Sequence, residues 1–300
     1  MDAIEVWLAA LRPFSFTATT IPVLLGTALA LNKVGAINFY LFAIVLIGVL
    51  FLHSGTNLIN DYYDYQNELD SQEYPGGSGV LVTGLITPPN IKEAALYCFA
   101  IAFLLALYVI YQQGMIIIIL FTLGVAGGYF YTAEPVNYKY YALGIPGVFI
   151  LLGPVLVGAA YYIQVGSYNQ EIFFISLPLG LLVSAILHSN DLRDIEHDTE
   201  VGIKTLANIL DYKLAGQLYF LLLTLAYFVI LYLTLRGVVT YWSLITLFTL
   251  PQAGQNITSL LVGEENRKQK LEDLELHTAS LHFKFGLLFV ISLLIDNIFG

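Results

Sequence analysis

Asn60-Asp61-Tyr62-Tyr63-Asp64-Tyr65-Gln66-Asn67-Glu68 decides how this chain is read, because its pattern returns. At Asn190-Asp191-Leu192-Arg193-Asp194-Ile195-Glu196-His197-Asp198 the same order appears: Asn, Asp, two residues, Asp, three residues, an acid. Read helically, Asn60, Asp64 and Glu68 fall at i, i+4 and i+8, and so do Asn190, Asp194 and Asp198. Each copy points one amide and two carboxylates the same way, at the end of an apolar helix. Two such faces opposite one another would hold divalent cations better than bare charge.

The surrounding composition says where those helices run. The 300 residues are 58% hydrophobic and only 11% charged, with a mean hydropathy of +0.76. Soluble chains carry roughly a quarter charged residues, so this chain cannot cover a soluble globule and reads as a polytopic membrane protein in a lipid bilayer. Asp2 and Glu5 precede any basic residue and no small-residue cleavage site follows, which does not fit a secretory signal. The single cysteine, Cys98, excludes an internal disulfide framework and a cysteine metal site. No basic stretch suggests nucleic acid. The net charge of -10 is local: five acids lie between Asp61 and Glu73 and five more between Asp191 and Glu200.

Apolar runs of about 20 residues predict nine spans, near 14–31, 39–59, 91–111, 115–131, 141–163, 172–189, 214–235, 242–262 and 281–299. Pro251, Gln252, Gln255 and Asn256 interrupt the eighth and should face the bundle interior or a wet cavity. Pro22, Pro146, Pro154 and Pro178 predict kinks. With the N-terminus cytoplasmic, Arg12, Lys92, Lys139, Arg193, Lys204, Lys213, Arg267, Lys268 and Lys270 fall on that side, against Lys33 and Arg236 on the other. This asymmetry puts both acidic motifs at the cytoplasmic face of the plasma membrane and the C-terminus outside. Residues 264–280 mix charges of both signs and suit an amphipathic interfacial helix. No composition shift divides the chain, so 1–300 is one domain with an internal pseudo-repeat, the motifs occupying 57–70 and 190–204.

Ionised carboxylates beside a bilayer are costly unless paired or metal-bound. Ten acids with only Arg193 and Lys204 nearby in sequence are not neutralised by local pairs. Asp, Glu and Asn oxygens suit Mg²⁺ or Mn²⁺, and Mg²⁺ takes one or two carboxylates plus substrate phosphate. The pattern therefore reads as a diphosphate clamp, with Arg193 and Lys204 on phosphate oxygens. Polar caps and solvated loops explain one acidic window but not a second with the same spacing. A diphosphate at a membrane surface implies an isoprenyl diphosphate; metal binding would stabilise the leaving diphosphate, and the allylic cation left behind would need a dry pocket lined by π faces. Tyr62, Tyr63 and Tyr65 could supply such faces, although packing and interfacial roles are commoner for membrane tyrosines.

Taken together, the chain resembles the UbiA superfamily of intramembrane aromatic prenyltransferases, and within it the 1,4-dihydroxy-2-naphthoate polyprenyltransferase branch. The resemblance is carried by Asn57-Leu58-Ile59-Asn60-Asp61-Tyr62-Tyr63-Asp64-Tyr65 with Asp70, by residues 190–198, and by Lys204-Thr205-Leu206. Leu11-Arg12-Pro13, residues 22–30 and Leu281-His282 add to it. It implies an all-α bundle of nine transmembrane helices around a central cavity open to lipid, under a cytoplasmic cap. It further implies that Asn60, Asp64, Asp194 and Asp198 coordinate Mg²⁺, supported by Asp61, Asp70 and Asp191. Asn57 and Tyr131 would help hold the diphosphate, and Lys139 would contact phosphate or help deprotonate the acceptor. Two positions depart from the family pattern. Glu68 stands where most of the superfamily has Asp, while the naphthoate branch places its acid at the Asp70 position. Asp191 stands where that branch often has Asn.

The implied reaction joins an isoprenyl group to an aromatic acceptor, such as the naphthoate of menaquinone biosynthesis. The same chemistry on another quinone precursor, a chlorin, a haem or a glycerol phosphate is the nearest alternative. A cation- or proton-coupled transporter is the alternative from another class. His53 and His188 lie beside the motifs and suit either an acceptor hydroxyl or a satisfied helix-bundle contact. Gly76-Gly77-Ser78-Gly79 lacks the Walker pattern and suits a lid over the clamp. Nothing in the sequence sets the oligomeric state.

Overall fold

The chain starts with a self-capped helix and a sharp reversal that aim the first long helix into the bundle. Asp2 accepts from the Glu5 amide at 2.9 Å and Glu5 returns the contact to the Asp2 amide at 3.0 Å, a reciprocal cap on α1 (Ala3–Leu11). Arg12 then takes a left-handed conformation (φ 51°) and Pro13 opens a 3₁₀ turn, Pro13–Phe16, leading into α2 (Thr17–Val34). In this computed structural model, which describes residues 2–72, 76–260, 271 and 273–299, the described residues are helical apart from connections and one isolated bridge between Tyr141 and Lys204.

After α2 come α3 (Phe39–Gln66), α4 (Pro88–Gln113) and α5 (Ile116–Tyr129). A 3₁₀ turn at Tyr138–Tyr140 precedes α6 (Gly144–Ile150), which passes through a π-helical stretch, Leu151–Val155, into α7 (Leu156–Val165). Next are α8 (Glu171–Arg193), short α9 (Ile195–Glu200) and α10 (Leu206–Leu235). A 3₁₀ segment, Tyr241–Thr249, runs into α11 (Leu250–Thr258), and α12 (Leu274–Phe299) closes the fold.

Seven of these elements are long and apolar enough to cross a bilayer: Pro13–Val34, α3, α4, Gly144–Val165, α8, α10 and α12. The fourth and eighth expected spans differ from that pattern. The fourth is the 14-residue α5, an apolar helix shorter than a full span. The eighth is the 3₁₀ segment followed by nine residues of α11, because Pro251 has no amide hydrogen to carry a regular helix through that point. Of its polar residues, Asn256 is buried and donates toward Tyr219 at 3.4 Å, Gln252 donates to the His277 carbonyl at 3.0 Å, and Gln255 is exposed. Residues 264–270 and 272 of the expected amphipathic helix lie outside the described residues, and 274–280 belong to α12.

Packing is uneven across the bundle. Ile21, Leu25, Leu179, Leu182, Tyr219, Leu223, Phe285 and Phe289, from α2, α8, α10 and α12, form a filled core. Gly26 lets α2 press on α7, since any side chain there would meet the Val157 carbonyl. Pro154 sits in the π stretch, where its missing N–H suits a widened turn, and Gly153 lies against Gly180 of α8. On the other side of α2 and α8 the bundle is hollow. A cavity of about 330 Å³ lies among α2, α3, α4, α5, α6–α7 and α8. Outward faces such as Leu104, Tyr111, Ile119, Phe228 and Leu235 are apolar and exposed, as hydrocarbon contact requires.

Candidate active site

The last three turns of α3 carry Asn57, Asn60, Asp61 and Asp64, all buried. Asp64 is the hub. One oxygen accepts from Asn60 Nδ2 and Lys139 Nζ, each at 2.6 Å; the other accepts from the Tyr140 hydroxyl at 2.5 Å. Lys139 and Tyr140 are aimed by backbone pairing: Lys204 donates to the Tyr140 carbonyl at 3.3 Å and accepts from the Ala142 amide at 2.6 Å. Lys204 thus contributes its main chain to the site, while its side chain is exposed. Asp61 forms an ion pair with Arg12 and accepts from Ser78 Oγ. The glycine-rich segment lies directly over these groups, since a Cβ on Gly77 would strike the Arg12 guanidinium and Asp61, and one on Gly76 would strike Asp70. Pro75 is outside the described residues.

The second copy is built differently. α8 ends at Arg193, whose guanidinium grips Asp194 through bonds of 2.8 and 2.7 Å and reaches Glu275 at 3.3 Å. Asn190 donates to the same Glu275 oxygen at 3.2 Å. The backbone steps on through Asp194 accepting from Asp198 at 2.8 Å, so Asp194 and Asp198 keep one face across the short break before α9. The two copies meet: His197 Nε2 lies 2.6 Å from the Leu69 carbonyl, joining the segment after the first motif to the helix after the second. Both acidic windows therefore sit at one end of the bundle.

Charge is concentrated there. Burial first, then Asp64, pushes Asp70 up to about 7. Burial likewise raises Asp198 to about 7, Lys139 pulling the other way and Asp194 and Asp64 adding to the rise. For Lys139 burial pulls the ammonium down, but Asp64, Tyr140 and Asp198 outweigh it and hold the pKa above its ordinary value. Burial and then Asp64 hold the Tyr140 hydroxyl well above the usual phenol range. Lys139 thus stands in the field of acids from both copies.

The cavity opens beneath this rim. Its polar end is walled by Arg12, Asn57, Asn60, Tyr131, Lys139, Asn190 and Glu275, and its depth by side chains such as Val45, Leu52, Phe121 and Leu156. Tyr131 lies beside Tyr138 with ring centres 5.4 Å apart, and Lys139 Nζ is 5.9 Å from its ring. Asn57 lines the cavity and donates to the Leu11 carbonyl at 3.0 Å and Ser15 Oγ at 3.1 Å.

Two expectations need correction. The i+8 position of the first copy does not extend the helical face, because α3 stops at Gln66. Glu68 takes a left-handed conformation (φ 56°), and the Glu68 and Leu69 amides close back onto Tyr65 and Asp64, a Schellman stop. Glu68 is exposed, and Asp70 is the partly buried acid near Asp64. Arg193 spends its guanidinium on Asp194 and Glu275 and is not part of the cavity wall. Tyr62, Tyr63 and Tyr65 take the commoner packing role, against α1 and α4, and the cavity's aromatic faces come from Phe14, Phe121, Tyr131 and Tyr138. Tyr140 and Glu275 join the site without having been singled out in the sequence, whereas Arg12 and Ser78 lie in stretches that had been, with no role given to either side chain. Tyr140 stands beside Lys139, Arg12 before Pro13 and Ser78 within the glycine-rich stretch; Glu275 gave no signal in sequence.

Among the described residues, no group of three or more His, Cys, Asp and Glu side chains is gathered closely enough to hold a metal by itself. The donor set still fits a hard divalent cation completed by a ligand. Carboxylate and amide oxygens line one rim, burial and neighbouring acids raise Asp70 and Asp198, a strain that a cation would relieve, and Mg²⁺ needs only one or two protein carboxylates beside phosphate and water.

Among the described residues, a charged rim over an apolar cavity in a helical bundle with seven candidate membrane spans marks an integral membrane protein with a polar-mouthed apolar pocket. The chain belongs to the UbiA prenyltransferase family, whose profile matches residues 19–271. It is 33% identical over 285 residues to the 1,4-dihydroxy-2-naphthoate octaprenyltransferase of Bacillus subtilis (strain 168), covering 95% of this chain and 91% of that one. It is 31% identical over 292 residues to UbiA prenyltransferase domain-containing protein 1 of Homo sapiens, covering 96% and 83%. In fold it is similar to a UbiA homolog from Aeropyrum pernix K1 (TM-score 0.69, 14% identity, 94% and 98% covered). It is also similar to one from Archaeoglobus fulgidus bound to GPP and Mg²⁺ (TM-score 0.65, 15% identity, 95% and 99% covered). The chain is a membrane prenyltransferase, which sets aside the transporter reading.

Proposed function

We propose that this enzyme transfers an isoprenyl group from a polyprenyl diphosphate to an aromatic acceptor of the 1,4-dihydroxy-2-naphthoate type, with Mg²⁺ as cofactor and Mn²⁺ as a substitute. The observation that carries the reading is Lys139, held against Asp64 at 2.6 Å and in the field of Asp198, at the mouth of an apolar cavity. One charged head and one long hydrocarbon tail fit that arrangement. The full-length similarity to a naphthoate prenyltransferase supports the acceptor class.

In this reading Asn60, Asp64, Asp70, Asp194 and Asp198 hold the cation, with Asp61 and Asp191 supporting them. A bound divalent cation would supply charge neutralisation for the departing diphosphate. Lys139 and Arg12 take phosphate oxygens as charge-assisted donors, and Asn57 and Tyr131 shape the passage from head to tail. Apolar residues deeper in the cavity exclude water, so the allylic cation meets the acceptor's π electrons before solvent. The glycine-rich segment and α9 form a cytoplasmic cap. α5 and the Tyr241–Thr258 segment complete a nine-crossing bundle with two related halves, N-terminus inside and C-terminus outside.

The test is direct. Purified protein, geranylgeranyl or longer diphosphate, 1,4-dihydroxy-2-naphthoate and Mg²⁺ should yield prenylated product and diphosphate. EDTA should stop the reaction and added Mg²⁺ or Mn²⁺ restore it. Full activity in chelator overturns the metal role, and absence of diphosphate release with every aromatic acceptor overturns the reading.

A further inference from the structure

His53 lies on α3 seven residues before Asn60, about 10 Å along the helix toward the apolar depth of the cavity. Its ring nitrogens have separate partners: Nε2 is 3.1 Å from Ser15 Oγ and Nδ1 is 3.2 Å from Thr19 Oγ1. Each hydroxyl also has a backbone acceptor, Ser15 donating to the Arg12 carbonyl at 2.8 Å and Thr19 to the Phe16 carbonyl at 3.1 Å. Asn57 Nδ2 supplies one further donor to Ser15. His53, Ser15, Thr19 and Asn57 all face the cavity.

The hydrogens can be counted. Four contacts link the ring, the two hydroxyls and the two carbonyls, and each needs one hydrogen. A neutral imidazole brings one N–H and the hydroxyls bring one O–H each, which makes three. Whichever tautomer forms, one contact is left without a hydrogen. An imidazolium fills all four: Nε2–H to Ser15, Nδ1–H to Thr19, and both hydroxyls outward to carbonyls. The network is one proton short of complete at rest. Among the described residues His53 is the sole histidine on the cavity wall, and the wall's one carboxylate, Glu275, is engaged by Arg193 and Asn190.

Building on the aromatic-acceptor reading, we propose that His53, poised by Ser15 and Thr19, is the proton acceptor for the hydroxyl of the aromatic substrate. The C1–O bond of the allylic diphosphate breaks with its electron pair leaving on the diphosphate. A ring π pair forms the carbon–carbon bond to C1 while the substrate's hydroxyl proton passes to the Ser15 or Thr19 hydroxyl, both on the cavity wall, which hands its own proton to the ring nitrogen of His53 it contacts; a neutral ketone is left rather than a cationic ring. The substituent on the prenylated carbon then leaves as a proton to the diphosphate, or as CO₂, and its electron pair restores the aromatic ring. The oxygen takes its proton back from His53. The positive charge on His53 arises together with the diphosphate anion at the same cavity's mouth.

The experiment compares wild type, His53→Gln and His53→Ala with geranylgeranyl diphosphate, Mg²⁺ and 1,4-dihydroxy-2-naphthoate. Three readouts are taken: product formation, diphosphate release without acceptor, and product formation with added imidazoles of graded basicity. Both variants should lose about 100-fold in product formation, the lower range for a general base. Their donor KM and acceptor-free diphosphate release should stay at the wild-type level. Imidazole should restore His53→Ala, more strongly with the more basic derivatives. A wild-type rate in His53→Gln overturns the assignment. So does a loss matched by equal loss of acceptor-free release and unrelieved by imidazole, which marks a purely structural histidine. Wild-type protein that releases diphosphate but prenylates no aromatic hydroxyl overturns the acceptor reading instead.

Discussion

At Asp64 three donors converge on one carboxylate, and the balance among them is the local physics of the site. Removing the carboxylate leaves the partly buried Lys139 ammonium without its partner, a costlier state than the intact pair. Asp64→Ala should therefore abolish turnover, as should Asp194→Ala, which frees Arg193 from its two-bond grip. Prenyl transfer at matched protein levels checks both, with losses of about 10²–10³-fold or more if charge stabilisation dominates. Glu68→Gln should change activity by less than about twofold, since an exposed side chain past the helix stop has little to lose. Parallel assays of the three variants separate the working acids from the bystander.

Two close approaches dominate at the scale of elements. Gly26 lies where α2 meets the backbone of α7, so Gly26→Leu should force the helices apart and lower stability by about 1–3 kcal/mol, the usual range for overpacking. A lowered thermal midpoint in detergent, with wild-type donor KM in the protein that remains folded, is the expected result. Gly77 is a different case, because the added Cβ meets a flexible guanidinium and a carboxylate instead of backbone. Gly77→Ala should leave the midpoint near wild type while displacing Arg12 from Asp61, which raises donor KM. Measuring midpoint and KM on both variants distinguishes framework from cover.

For the molecule as a whole, metal binding and proton binding compete at the rim. Asp70 and Asp198 have folded-state pKa values raised to about 7, so below that pH they carry protons that a cation must displace. Mg²⁺ binding should release protons, and its apparent affinity should weaken as pH falls from about 8 to about 6. Titration calorimetry in buffers of different ionisation enthalpy reads the proton count directly. An affinity independent of pH across that window would mean these acids stay outside the cation's reach. The solid half around Tyr219 and Phe285 and the hollow half beneath Lys139 also divide the labour, one fixing α2 and α8 so that the other can stay open.

Much of this is legible in residues 60–68 and 190–198 alone. Asn and Asp at helical spacing, each set closing an apolar run, specify a membrane bundle with two acidic helix ends, because periodicity and hydropathy are properties of neighbouring residues. Where helices stop is less legible. The left-handed turn at Glu68 and the 3₁₀ path through Tyr241–Thr249 depend on backbone hydrogen bonds that composition does not reveal. The partners of Asp61, Asp64 and Asn190 lie wholly beyond reach, since Arg12, Lys139 and Glu275 stand 49, 75 and 85 residues away from them. The sequence by itself determined the bilayer setting and the acidic rims. Only the folded chain decided which cation meets which carboxylate, and that His53 lies between Ser15 and Thr19 on the cavity wall, because both depend on distances between segments that share no pattern along the chain.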